Sequence, residues 1–464
     1  MEKTSAKQKT DFTRGPVWKG ILAQAVPLTV AQLVHLLYNV VDRIYIGHMG
    51  GSGLALTGVG LTFPIVTLIM AFTALFGNGG VPLFSIQWGA GDPKRAGRIM
   101  GNSFSLLVIS AVVLTGAGYA FRKPILFAFG ASEDSYVYAA QYLNIYLVGT
   151  VFSMIATGMN GYINAQGFPR TGMLSIVIGA GVNILLDPVF IFVLRMGVAG
   201  AALATVISQA VSAAWVLRFL FGSAAVIPLR RESLGLRREI AAEIARLGTA
   251  NFIMQGTNCL VQVACNATLQ RYGGDVYVGV MTVANSVREI FTLPVSGVSN
   301  GAQPIISFNY GAKRYDRVRA GIRFNTAVGC VYTLVAWVLV LLFPRVWFGM
   351  FSNDGEMTAL GIGMLRIYFF GFVFMALQFS GQSAFHALGD ARHAIFFSLL
   401  RKAVIVTPLT LLLPAAGFGV RGVFMAEPIS NLVGGLACYI TMVRTVRRRL
   451  GTEEQRLEKG EDHG

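Results

Sequence analysis

Residues 82–95 read PLFSIQWGAGDPKR and residues 304–317 read PIISFNYGAKRYDR, 222 positions further on. The pair shares Pro82/Pro304, Ser85/Ser307, Gly89/Gly311, Ala90/Ala312 and Arg95/Arg317. The same offset, with no net gap, matches Ile145, Tyr146, Gly149 and Phe152 to Ile367, Tyr368, Gly371 and Phe374. It also matches Ala165, Gly167 and Arg170 to Ala387, Gly389 and Arg392, and Gly197, Val198, Gly200 and Ala204 to Gly419, Val420, Gly422 and Ala426. Chance matches of Gly and Ala in one block mean little, but a constant offset over four blocks means duplication.

What is duplicated is membrane-spanning. Of 464 residues, 54% are hydrophobic and only 13% charged, against about 25% charged in a soluble domain. The 54 glycines exceed the usual ~7% and suit transmembrane helices. These figures exclude a disordered chain and argue against a soluble enzyme. A spanning helix needs about 20 mostly apolar residues. Twelve such segments run near 20–47, 54–87, 96–121, 136–162, 170–194, 198–220, 240–270, 276–308, 318–343, 358–386, 393–414 and 421–445. Their expected division is a tail (1–19), a first lobe of six spans (20–221), a linker (222–239), a second lobe of six (240–446) and a second tail (447–464). Six is even, so the second lobe enters the membrane in the same sense as the first. The expected fold is therefore an all-α polytopic membrane protein, its twelve transmembrane helices in two six-helix lobes related by a pseudo-two-fold along the membrane normal. Such an arrangement places a substrate path at the repeat interface.

The net charge of +16 finds its place in the same scheme. With a cytoplasmic N-terminus, Lys94, Arg95, Arg98, Arg230, Arg231, Arg237, Lys313 and Arg314 fall inside, as do the basic residues of both tails. The outer loops hold only Arg122, Lys123, Arg195, Arg271, Arg345 and Arg421. This is the positive-inside rule, so the charge reports topology and not a nucleic-acid surface. The expectation is a multi-pass protein of the cytoplasmic (inner) membrane, both termini cytoplasmic, with the lipid bilayer as partner and a monomer as working unit. Cys259, Cys265, Cys330 and Cys438 lie in apolar runs without zinc or disulfide spacing. No phosphate-cradling G-x-x-x-x-G-K-[ST] loop and no catalytic dyad appears. No enzyme activity and no cofactor are expected.

Ionisable residues at membrane depth are costly and mark function. Asp42 on the first span, Asp187 on the fifth and Thr205 on the sixth all fall roughly 9–12 Å below the outer surface at 1.5 Å per residue. Asn183 lies one turn before Asp187, on the same helix face. Two carboxylates, a carboxamide and a hydroxyl form an all-oxygen set, which suits Na⁺ or a proton shared between carboxylates. The competing reading has Asp187 capping a kink at Pro188 and Asp42 pairing with Arg43. In the second lobe, Asn183, Asp187 and Thr205 correspond to Ile405, Leu409 and Glu427, so ion chemistry is expected in the first lobe alone. Glu289, Arg288 and Glu427 are the polar candidates of the second. They are read either as buried ion pairs, Glu289 with Arg401 or Lys402, or as carboxylates (Glu289, Glu427) that meet a cationic substrate. Pro27, Pro64, Pro294 and Pro304 lie within spans and kink them.

PLTVAQLVHLLYNVVDRIYIG (27–47), LTFP (61–64), the paired WGAGDPKRAGR and YGAKRYDRVRAG, NAQGFPR (164–170) and GVAGAALAT (197–205) together resemble the multidrug and toxic compound extrusion (MATE) family. The resemblance covers about residues 16–446 and looks most like the bacterial branch. It implies a two-lobe antiporter that exports cationic, amphipathic compounds against an inward flow of Na⁺ or H⁺ by alternating access. The family's cation site maps onto Asp42, Asn183, Asp187 and Thr205, with Tyr38 and Asn39 as supporting polar residues and Pro27 as the hinge of the first helix. Some members carry a second acidic site on the seventh and tenth spans; the tenth here (365–385) has no carboxylate. The alternatives are a flippase for a lipid-linked sugar or other amphiphile, and a non-transporting membrane scaffold or receptor.

Overall fold

The computed structural model describes residues 10–47, 53–129, 131–350 and 355–458. Among these there is no strand. The helices, in chain order, are α1 Val17–Gly47, α2 Gly53–Thr73, α3 Gly79–Gly89, α4 Pro93–Ala128, α5 Glu133–Val148, α6 Thr150–Gly158, α7 Asn160–Ala165, α8 Pro169–Pro188 and α9 Gly197–Phe221. They continue as α10 Arg238–Gly311, α11 Tyr315–Leu342, α12 Pro344–Gly349, α13 Gly355–Tyr368, α14 Val373–Ala387, α15 Ala391–Leu399, α16 Thr407–Leu413 and α17 Gly419–Glu458.

All twelve apolar segments lie on helix. Among the described residues, seven continuous stretches are long and apolar enough to cross a membrane, and two bent pairs bring the number to nine. The last stretch, Ala391–Gln455, passes through left-handed Gly417 and Gly419 and holds two spans. The 74-residue α10 breaks at Gly274 (φ 72) and holds the segments expected as seventh and eighth spans, the seventh rich in amides and the eighth carrying Arg288 and Glu289. Local sequence starts the helices where it should. Asp92 accepts from the Arg95 N–H ahead of Pro93 at the head of α4. Ser132 and Ser135 form a reciprocal cap at α5, followed by Glu133 and Asp134 at the positive end of the helix dipole.

The duplication is written into the backbone itself. Left-handed residues recur at the 222-residue offset: Gly91 and Lys313, Gly167 and Gly389, Arg195 and Gly417, Gly197 and Gly419. The bent pairs also correspond. The fourth span turns by 57° at Gly149 and the tenth by 50° ahead of Val373.

The chain forms two compact units. Unit 1 comprises Met1–Phe12 and Val26–Phe252, and unit 2 Thr13–Ala25 and Ile253–Gly464. Helix α1 thus passes from one unit to the other at Ala25–Val26, beside Pro27. In unit 1, Phe84, Met100, Leu107, Leu147 and Tyr162 are fully buried at the centre. In unit 2, Phe348, Phe369, Phe372 and Phe424 fill the same role. Exposed valines such as Val112 and Val113 on α4, and Val331 and Val335 on α11, present the apolar flank that lipid covers.

Close helix contacts in unit 1 depend on absent side chains. A Cβ on Gly248 would stand 1.8 Å from the Leu75 carbonyl oxygen, so the first turns of α10 sit directly against the bulge between α2 and α3. Gly248→Ala is expected to cost about 1–3 kcal/mol through overpacking. Gly256→Ala, with nothing within 4 Å of the new methyl, is expected to be neutral or slightly stabilising. Thermal melting of the two purified variants in nanodiscs checks the difference.

Candidate functional site

In unit 1 the site is built on α1, α5, α8 and α9. Asn183 and Asp187 stand one turn apart on α8, both with no exposed surface. The Asn183 Nδ2 donates to Asp187 Oδ1 at 3.3 Å. Pro188 follows at once and Val189–Val193 continues as a wider, i→i+5 bonded turn. Pro188 has no N–H to give to the preceding turn, so the helix loosens just beyond the acidic residue. The Asp42 carboxyl on α1 comes within hydrogen-bonding reach of Asp187. Two carboxyl groups therefore meet across two helices, at a depth where charge is expensive.

Thr205 is buried on α9 and donates to the Ala201 carbonyl at 3.0 Å. It joins the acidic pair through Tyr142 on α5, which hydrogen-bonds the Thr205 hydroxyl and feels the Asp42 charge. Tyr142 stacks on Tyr146 one turn later, with ring centroids 5.9 Å apart. Tyr38 lies one turn before Asp42 and within its field, and His35 packs edge-on against Tyr38. Asn39 lies on α1, but its side chain is outside the described residues. The structure thus brings together Asp42, Asn183 and Asp187 directly, with Tyr38 and Thr205 at the margin.

The set fits a hard cation. Asp187 Oδ2 and Asn183 Oδ1 are buried with no hydrogen-bond partner among the described residues. Lone oxygens in a buried pocket cost free energy unless a cation or proton satisfies them. The Asn183 amide donates to the same carboxylate that lies within hydrogen-bonding reach of Asp42.

Tyr142 and Tyr146 are functional candidates that sequence reasoning passed over. The sequence carried a partial signal, since the two lie one turn apart in QYLNIYLV (141–148).

Unit 2 holds a different constellation. The Glu427 carboxylate on α17 accepts from Arg288 Nη1 at 3.1 Å, from Arg401 Nη2, and from Lys402 Nζ at 3.2 Å on each oxygen. Arg401 and Lys402 are sequence neighbours, which on an α-helix diverge by about 100°. Here they sit in the wider turn Leu400–Val406, and both long side chains reach the Glu427 carboxylate. The pairs expected at Glu289 therefore close on Glu427, while Glu289 lines the same cavity of about 520 Å³. Asn258, Gln262 and Asn285 line it too. The Tyr368 hydroxyl, the repeat counterpart of Tyr146, donates to Asn285 Oδ1 at 2.7 Å.

Comparison with known proteins agrees with this architecture. The MatE family model matches twice, over residues 27–189 and 252–412, one match in each repeat. The chain is 24% identical to the multidrug export protein MepA of Staphylococcus saprophyticus over 454 residues, which is 97% of this chain and 98% of that protein. It is 23% identical to MepA of a Staphylococcus aureus strain with the same coverage. Among solved structures, a multidrug resistance MATE family transporter in an outward-facing conformation superposes with a TM-score of 0.89 at 23% identity, over 95% of this chain and 98% of the other. These relatives are export proteins and not enzymes. Two matches of one family model cover most of the chain, one over each half of the duplication, and the chain belongs to the MatE family.

Proposed function

We propose that this chain is a multidrug efflux transporter of the cytoplasmic membrane, a cation-coupled antiporter with both termini cytoplasmic. Export of several small molecules is what the name of the MepA relatives, multidrug export protein, favours; in this reading those molecules are cationic, amphipathic compounds. The observation that carries the reading is the buried Asp42–Asp187–Asn183 set. Two adjacent carboxyls without a balancing cation repel in a low dielectric. A Na⁺ ion or a proton relieves that repulsion and lets α1 close on α8. Drug binding favours the state in which the site has released its cation, so an inward cation gradient drives the drug outward.

Pro27 supplies the place where α1 bends. It removes one hydrogen bond from the helix at the point where the chain passes from unit 2 to unit 1. Pro27→Ala is expected to slow transport several-fold while equilibrium drug binding changes less than twofold; initial efflux rates and binding isotherms separate the two.

The reading is tested by dye efflux from proteoliposomes under an imposed Na⁺ or pH gradient. Gradient-dependent efflux is expected. Equal flux with and without either gradient would overturn cation coupling.

A further inference from the structure

The cavity of unit 2 is unlike a cation site. Three cationic side chains, Arg288, Arg401 and Lys402, face it, against two carboxylates, Glu289 and Glu427. One positive charge is left in excess even with the exposed Glu289 counted. Arg401, Lys402 and Glu427 are each at least nine-tenths buried. The donors outnumber the acceptors still more clearly. Two guanidiniums and an ammonium offer roughly thirteen N–H groups, whereas a carboxylate accepts about four. The Nε atoms of both Arg288 and Arg401 are buried with no partner among the described residues.

A purely structural ion cluster would balance its charge and satisfy its donors, because an uncompensated buried cation is strongly destabilising. This one does neither, and it opens on a space of about 520 Å³, within the range that holds a drug-sized molecule. The lining also includes apolar, adaptable side chains: Met254, Met281, Met375 and Phe379. The amides Asn258, Gln262 and Asn285 complete the lining.

We propose that this cavity binds an amphiphile through an oxyanion head, a carboxylate or phosphate, seated on Arg288, Arg401 and Lys402. Its apolar body lies against the methionines and Phe379. Guanidinium and carboxylate or phosphate match in a bidentate, charge-assisted geometry, and the incoming oxygens supply the acceptors that the cluster lacks. The ligand comes either from the bilayer, as an anionic phospholipid, or from solution, as an organic anion. The site goes beyond the cation coupling proposed for unit 1 and stands without it.

The test uses the full-length protein in phosphatidylcholine nanodiscs and a matched set of probes, 2-naphthoate, 2-naphthamide and 2-naphthylmethylammonium, measured by equilibrium dialysis. Naphthoate is expected to bind the wild type at least tenfold more tightly than either analogue. Lys402→Gln and Arg288→Gln are expected to lower naphthoate affinity at least fivefold and to leave naphthamide unchanged. The wild-type comparison needs no variant to fold. A parallel arm follows lipid retention by native mass spectrometry from micelles holding equal phosphatidylglycerol and phosphatidylcholine. Selective retention of phosphatidylglycerol that naphthoate displaces supports the proposal and identifies a membrane lipid. Naphthoate binding without such retention supports it and identifies a soluble anion. Equal affinity for the three probes, or an anion preference undiminished in both variants, overturns it.

Discussion

Asp187→Asn is expected to reduce gradient-driven efflux to the level of empty liposomes while leaving a folded protein. The substitution keeps the shape of the side chain and one acceptor oxygen for the Asn183 amide, now 3.3 Å from Asp187 Oδ1. It removes the charge on which the proposed cation site rests. Neutralising a buried carboxylate strands no partner here, because its neighbours are another carboxyl, at Asp42, and a carboxamide. Protein yield and melting temperature should therefore stay near wild type. Coupling between two ligands is commonly 5- to 150-fold, and all of it should vanish with the charge. Asp42→Asn is expected to behave likewise. Resistance to a toxic cationic dye in an efflux-deficient host gives a second readout, and unchanged resistance in Asp187→Asn would contradict the assignment.

Glu427→Gln is expected to have the largest effect on stability. Its carboxylate is the common partner of Arg288, Arg401 and Lys402, and it is 5% exposed. Removing one partner from a buried ion cluster leaves charge without compensation and costs about 3–5 kcal/mol. Three cations then face one another with Glu289 as their nearest relief. The reverse change is mild. Lys402→Met removes one of three cations and relieves part of the excess charge, so it is expected to be near neutral. Melting curves of the two variants in nanodiscs check this asymmetry. A Glu427→Gln protein as stable as Lys402→Met would show that the cluster does not depend on its carboxylate.

Much of the fold could be read from the chain. Lipid imposes long apolar runs, and the duplicated turns must keep left-handed backbone at matching places. That is why Gly167 and Gly389, or Gly197 and Gly419, survive as identities. Lys313 opposite Gly91 shows that the backbone can keep its conformation where the residue type has changed. The acidic site was legible because an Asn–Asp step of four residues places both side chains on one helix face. The tyrosine pair left only its one-turn spacing in the sequence, since the link of Tyr142 to Thr205 depends on how α5 packs beside α9. The residues of the cation cluster were legible as ionisable groups in apolar spans, but their pairing was not. Which carboxylate closes on Arg401 and Lys402 depends on how α17 packs against the turn Leu400–Val406. Amides at Asn251, Gln255, Asn258, Gln262 and Asn266, three or four residues apart along α10, would have pointed to a polar face.

Antiport requires that cation and drug weaken each other's binding by the same factor. The most direct test is therefore the affinity of a cationic dye for the purified protein in nanodiscs, titrated with Na⁺ at fixed pH and with protons at fixed Na⁺, for wild type and Asp187→Asn. For the wild type, the coupling cation should weaken dye binding at least fivefold; for Asp187→Asn, the affinity should stay constant across the titration. A wild-type affinity indifferent to both cations, or the same dependence in the variant, would contradict the account.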